Sequence, residues 1–248
     1  MSAFHRIQQL ATQPRVHAAF QWLHLHERQL RRWQMELSAI PAPPFAESHR
    51  AAWVLDRFRE IGLADAAIDS EGNVLAELPA PQSTEAAPKK ILLSAHIDTV
   101  FPAGTDCTPR EEEPRIYAPG ICDNAAGVIA LLAIASALKA SGLTNLSRTL
   151  LFAGNVGEEG EGDLRGMRHI FRSPSAKTIT AAIALDGSGT YPVVTQALGG
   201  SSFPVDIEPH INVDAPLGPD ETLILCTEGL RYPRELVASN ASEKTCGA

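Results

Sequence analysis

A chain of 248 residues, 44% hydrophobic and 20% charged, has ordinary globular composition and is long enough to bury a substantial core. Its formal net charge of −8 argues against nucleic acid or an anionic membrane as partner. Cys107, Cys122, Cys226 and Cys246 form neither a C-x-x-C pair nor a dense framework, residues 1–20 carry no secretory-type apolar segment, and the uncharged stretch 125–138 is short for a bilayer span, so a cytoplasmic setting is expected.

In chain order, residues 16–39 read as one helix, with Val16, Ala19, Phe20, Leu23, Leu30, Trp33 and Leu37 at helical spacing. A second helix is predicted over 48–61 and stopped by Gly62. Residues 68–78 read as a hairpin turning at Glu71-Gly72-Asn73, and the proline-rich stretch 79–88 as a surface connector. Residues 91–95 form a buried strand, Glu111-Glu112-Glu113 a solvated turn, and Arg115-Ile116-Tyr117 is strand-like. An amphipathic helix is expected over 124–141, with Val128, Leu131, Leu132, Ala135 and Leu138 inward. Short apolar strands follow at 149–153 and 181–185. His169 falls on a helix between them, and 222–226 is strand-like within a proline-interrupted tail. Strands alternating with helices imply an α/β sheet with helices on its faces.

The chemistry collects where these elements end. The strand at 91–95 delivers His96-Ile97-Asp98, and residues two apart in an extended chain share a face, so Asp98 can support the far nitrogen of His96. Asp123 stands at the mouth of the helix over 124–141, where it is either a ligand or simply a helix N-cap. Glu158-Glu159 lies between Gly157 and Gly160 beyond the strand at 149–153, and Asp186 follows the strand at 181–185. Singly, each acidic group is explained as a turn or a solvated edge. Together they sit at consecutive element ends, where open α/β sheets bind ligands, and nitrogen and oxygen donors without thiolate suit zinc, cobalt or manganese. His17, His24 and His26 are expected to be exposed on the first helix, His24 and His26 not sharing a face, and Cys122 is expected to be a small packed residue.

The stretches LLSAHIDTVFP, RIYAPGICDNAAGVIALL, NVGEEGEGDLRGMRHIF and AIALDG resemble, in order and spacing, the di-zinc metallopeptidase family twenty. That family includes tripeptide aminopeptidase, carboxypeptidase G, aminoacylase and succinyl-diaminopimelate desuccinylase. MELSAIPAPPFAES and DSEGNVLAEL extend the resemblance to roughly residues 34–205. It implies a zinc-exopeptidase-like α/β catalytic domain, a mixed sheet flanked by helices, followed by an incomplete or diverged lid segment. Residues 1–200 would be the N-terminal part of the catalytic domain, and 201–248 the partial lid and tail.

The resemblance also implies roles. His96 and Asp186 would hold one metal, Asp123 would bridge both, its peptide bond to Asn124 being commonly cis in the family, and Glu159 would hold the second metal. Glu158 would be the general base, with Asp98 behind His96. Two zinc ions (cobalt or manganese as substitutes) roughly 3.5–4 Å apart would acidify a water and polarise an amide carbonyl. The substrate would be a small peptide or N-acyl amino acid; a homodimer would require a complete lid.

The pattern also departs from the family. Its Gly-Gly-His-Ser lid stretch and late histidine ligand have no counterpart, and His210, the only histidine after Asp186, reads as a loop residue. Two alternatives therefore stand beside the aminopeptidase or tripeptidase reading. One is an inactive fragment retaining partial metal binding; the other is a single-domain zinc aminopeptidase of the related family, with a similar Asp-Asn-Ala-Ala-Gly helix start.

Overall fold

The computed structural model describes residues 5, 9–80, 88–112, 115–143, 146–187 and 224–225. The region expected as one helix is two, α1 (Pro14–Leu25) and α2 (Glu27–Ser38). They break at His26, whose backbone leaves helical geometry (φ −108°, ψ 14°). Its ring stacks on Trp22 at 4.0 Å, with Nδ1 2.7 Å from the Trp22 carbonyl. Helix α1 buries no residue and Phe20 is 48% exposed, so the apolar spacing there does not mark core. Helix α2 does enter the core, through Trp33 and Leu37.

Helix α3 (Ser48–Glu60) buries Arg50, Ala51, Val54 and Phe58. Gly62 ends it at φ 92°, a conformation glycine adopts without steric cost. Strands β1 (Ala67–Ile68) and β2 (Val74–Leu78) pair antiparallel as the expected hairpin. One oxygen of Asp69 accepts the amides of Glu71, Gly72 and Asn73, each at 2.9 Å, which closes the turn. Strand β3 (Lys90–His96) follows, then a two-stranded ribbon of β4 (Arg110–Glu112) and β5 (Arg115–Tyr117). Glu111 and Glu112 are thus strand residues rather than a turn. Glu111 faces outward and pairs with Arg31 of α2 at 2.8 Å, a role acidic residues can take on an exposed ribbon.

Helix α4 (Gly127–Ala140) packs Val128, Leu131, Leu132 and Ala135 into the core. It is preceded by an irregular turn, Ile121–Ala126, in which the Asp123–Asn124 peptide is cis. The continuous segment Ile121–Ala140 is long and apolar enough to cross a membrane, but its apolar face lies against β3 and β6 as a core helix would. Strand β6 (Thr149–Asn155), helix α5 (Arg165–Arg172), strand β7 (Ile179–Ala184) and strand β8 (Ile224–Leu225) follow, with short 3-10 turns at Gly160–Gly162 and Pro174–Thr178. His169 lies on α5, as the sequence predicts.

The sheet order is β1-β2-β6-β3-β7-β8, a mixed sheet in which only β1–β2 and β2–β6 are antiparallel. β3 lies between β6 and β7 and is parallel to both, with His96 in register with Asn155. The carboxyl ends of these three strands therefore open on one edge of the sheet, the edge where α/β sheets bind ligands. Apart from the backbone of 224–225, the segment 201–248, including His210, lies outside the described residues, as does the proposed boundary at 200/201.

Candidate metal centre

His96 ends β3 in nearly complete burial, 4% exposed. Its Nδ1 faces the main-chain oxygen of Asp98 at 3.1 Å, so a proton on Nδ1 is donated there and Nε2 is left to the cleft. Nε2 lies 2.9 Å from Asp123 Oδ1 and 3.5 Å from Asp186 Oδ1. Burial alone would lower this imidazole's pKa, but its hydrogen bonds to Asp123, Asp186 and Asp98 outweigh burial and hold it well above its usual range.

The Asp98 carboxylate, 0% exposed, lies 3.5 Å from His96 Nδ1 and does more than support that ring. Its two oxygens accept the amides of Glu158 (3.0 Å) and Glu159 (2.9 Å), so it also holds the turn bearing both glutamates. Desolvation opposes its charge, yet His96 and these two amides pull its pKa below the ordinary aspartate range. Glu158 titrates near 7: burial raises it, Glu159, Asp186 and Asp98 add to the rise, and His96 opposes it. Glu159 is raised chiefly by burial and by Asp123.

The competing explanation of Asp123 as a helix cap is answered by its neighbour. Asn124 Oδ1 accepts the Gly127 amide at 3.1 Å, three residues on, while its Nδ2 donates to Leu185 O at 2.9 Å. With Asn124 filling the cap, the Asp123 carboxylate is directed at His96 instead. Asn124 also draws the Asp123 turn toward the end of β7, just before Asp186. Gly127 and Gly187 allow this approach: a Cβ on the first would stand 2.1 Å from Asn124 Oδ1, and on the second 2.2 Å from Cys122 O.

All six residues singled out in the sequence meet here. His96, Asp123 and Asp186 offer ligand atoms within 4.8 Å of one another, and so do His96, Glu158 and Glu159. One imidazole nitrogen among carboxylate oxygens fits a borderline divalent cation such as zinc, and the excess of converging negative charge fits it too. A groove lined by Trp22, Trp33, Glu60 and Lys139 lies at the other end of α4, away from this centre.

Three supporting residues gave no sequence signal of their role. Arg50 is 1% exposed and donates to Ile40 O (2.7 Å) and Ile97 O (3.1 Å), clamping the residue between His96 and Asp98. Asn73 accepts the Val156 amide and donates to Gly166 O, joining the hairpin to both ends of the glutamate turn. Arg165 reaches Glu47 and Glu71. Their partners lie far away in sequence, so only the motif DSEGN, around Asn73, could have drawn attention.

Several solved structures share this fold. Aminopeptidase PepT from Bacillus cereus is 23% identical with a TM-score of 0.51, the alignment covering 66% of this chain and 44% of PepT. The dipeptidase Dug1p from Saccharomyces cerevisiae is 15% identical with a TM-score of 0.54, over 70% of this chain and 42% of Dug1p. Human carnosine dipeptidase 1 is 17% identical with a TM-score of 0.55, over 68% of this chain and 40% of that one. The chain thus matches less than half the length of each. No curated protein matches the sequence. The family model that matches is that of Peptidase family M28, rather than family twenty suggested by the motifs, and it spans residues 73–209 and so every residue of the centre. With more than half its length in that match, the chain belongs to Peptidase family M28.

Proposed function

We propose that this chain is a metal-dependent hydrolase of peptide bonds, aminopeptidase- or tripeptidase-like, acting on small peptides or N-acyl amino acids. The observation that carries this reading is the convergence of His96, Asp123 and Asp186 on one side and Glu158 and Glu159 on the other, in a chain of a peptidase family. The names of the structural neighbours, an aminopeptidase and two dipeptidases, support it, as do the motifs shared with family twenty.

In this reading His96, Asp123 and Asp186 would hold one zinc ion, and Glu159, together with Asp123, would hold a second. Bound there, the ions would lower the pKa of a water and polarise the scissile carbonyl. Glu158 would be the proton carrier, because its carboxylate lies beside His96 and Glu159 in the cleft, placed to take a proton from water and return it to the departing amine. Asp98 aims Glu158 through its amide and keeps His96 oriented with Nε2 forward. The burial of His96 and Asp98 keeps bulk water from competing for these contacts.

Zinc- or cobalt-loaded protein assayed against a panel of di- and tripeptides is expected to release free amino acid. Glu158→Gln is expected to lower kcat by roughly 10²–10⁴ while retaining metal. A panel without turnover, together with unchanged behaviour of the Glu158 variant, overturns the proposal. A second reading, a one-metal chain without turnover, draws support from one observation: both ligand groups share His96 as their single imidazole. About two ions per chain favour the first reading, and one the second.

A further inference from the structure

Glu158 and Glu159 sit on a turn that runs from Gly157 to Leu164 before α5 begins. Its ends are tied by Arg165 N to Gly157 O (3.1 Å) and Gly166 N to Val156 O (3.0 Å). The Arg165 side chain then folds back over the start of the turn. A Cβ on Gly157 would stand 2.5 Å from Arg165 Nε and 2.6 Å from its Cγ, so the arginine stem occupies the space beside the Gly157 α-carbon.

The guanidinium is fixed from two other directions. Nη2 donates to Glu47 Oε1 at 2.7 Å, just before α3, and Nη1 to Glu71 O and Oε1, both at 2.8 Å, in the β1–β2 turn. Phe45 lies under it, ring centroid 5.0 Å from Cζ. Among the described residues, every non-glycine with positive φ adjoins this arginine: Phe45 (71°) stacks on it, and Asp163 (48°) and Leu164 (57°) immediately precede it. Such conformations are strained and persist only where surrounding contacts over-determine them.

We infer that Arg165 is a positioning residue for Glu158 and Glu159, a three-way clamp that sets the turn carrying them against the hairpin and the entry to α3. Its guanidinium bonds to Glu47 and Glu71, and its stem acts on the turn through Gly157. Its kinetic consequence rests on the proposed function, whereas its structural consequence does not. A fork that binds two carboxylates at once also has no equal in lysine, so the clamp is specific to arginine.

The test is residue-resolved amide hydrogen exchange on the metal-free full chain, paired with kinetics of the zinc-loaded protein. Arg165→Met is expected to speed exchange of the Glu158 and Glu159 amides at least tenfold while the amides of Thr149–Asn155 keep their wild-type rates. In the loaded protein kcat should fall roughly 10–100-fold with KM within twofold, as expected for a misplaced catalytic group, and Arg165→Lys should restore only part of it. Combined with Glu158→Gln, Arg165→Met should add less than its separate loss, since part of its effect runs through Glu158. Unchanged exchange at Glu158 and Glu159, or equal acceleration throughout β6 and α5, overturns the inference. Should Arg165→Met fail to fold, Glu71→Gln, which loosens one arm of the clamp, is judged by the same exchange outcomes. Full activity of Glu158→Gln would overturn the functional reading and leave the exchange result to decide the clamp alone.

Discussion

Replacing Asp98 by asparagine removes one charge and one acceptor and keeps the shape. The wild-type carboxylate, fully buried, gives one oxygen to the Glu158 amide and the other to the Glu159 amide. Asparagine can accept only one of them, and its NH₂ would face the other N–H. That orphaned donor costs about 1–3 kcal/mol, and the remaining bond, now neutral, weakens by about 1 kcal/mol. Against this, the amide no longer needs desolvation as an ion, so about 2–3 kcal/mol of metal-free stability should be lost. Metal affinity should fall roughly 10–100-fold, the usual effect of disturbing a carboxylate behind a ligating histidine. Urea unfolding of metal-free protein and chelator competition for zinc measure the two effects. The direction with pH is also set. The Asp98 pKa is depressed, so its contribution is present above the unfolded value, about 3.9, and is lost as pH falls through the folded one. The gap between wild type and variant should therefore close in acid. Stability within about 0.5 kcal/mol of wild type at neutral pH, or a gap that widens in acid, refutes the reasoning.

Other outcomes follow from the same geometry. Arg50→Met strips the donors from two carbonyls, Ile40 O and Ile97 O, and should lower stability by about 2–4 kcal/mol in urea unfolding; a neutral result would mean the buried charge contributes nothing net. Gly127→Ala drives a methyl group into Asn124 Oδ1 and Leu185 O, so it should cost about 1–3 kcal/mol and weaken zinc binding by separating Asp123 from Asp186, both readable by melting with and without zinc. His96 and Glu158 both have raised pKa values in the metal-free chain, the latter to about 7. Their contributions are full below their unfolded pKa values and are lost as pH rises through the folded ones, so metal-free stability should decline from weakly acidic to alkaline pH. Zinc must displace these protons, so its stabilisation should grow over the same range, and calorimetry in buffers of different ionisation enthalpy should record proton release on binding.

Much of the site was legible because its residues stand directly after apolar runs. His96, Glu158 and Asp186 each follow a strand whose hydrophobicity is plain in the sequence, and parallel strands bring such ends to one edge. The roles within the site were less visible. Asp123 and Asn124 are both good caps, and only the fold directs Asn124 to Gly127 and frees Asp123 for His96. Asp98 was read as a partner of one histidine, whereas its main bonds go to two amides about sixty residues away. Arg50, Asn73 and Arg165 act through partners that local patterning does not encode. The early helices show the converse limit: the apolar period continues through His26, yet a stacked ring and a side-chain bond to Trp22 O break the helix there.

The proposed chemistry depends on metal being held by His96 and the surrounding carboxylates. Zinc-edge X-ray absorption on the fully loaded protein tests it directly. The expected spectrum shows nitrogen and oxygen neighbours alone at about 2.0–2.2 Å, with one imidazole per chain contributed by His96, and a metal–metal vector at about 3.5–4 Å if two ions bind. A sulfur shell at about 2.3 Å, or an unchanged spectrum in His96→Ala, would place the metal elsewhere and contradict it.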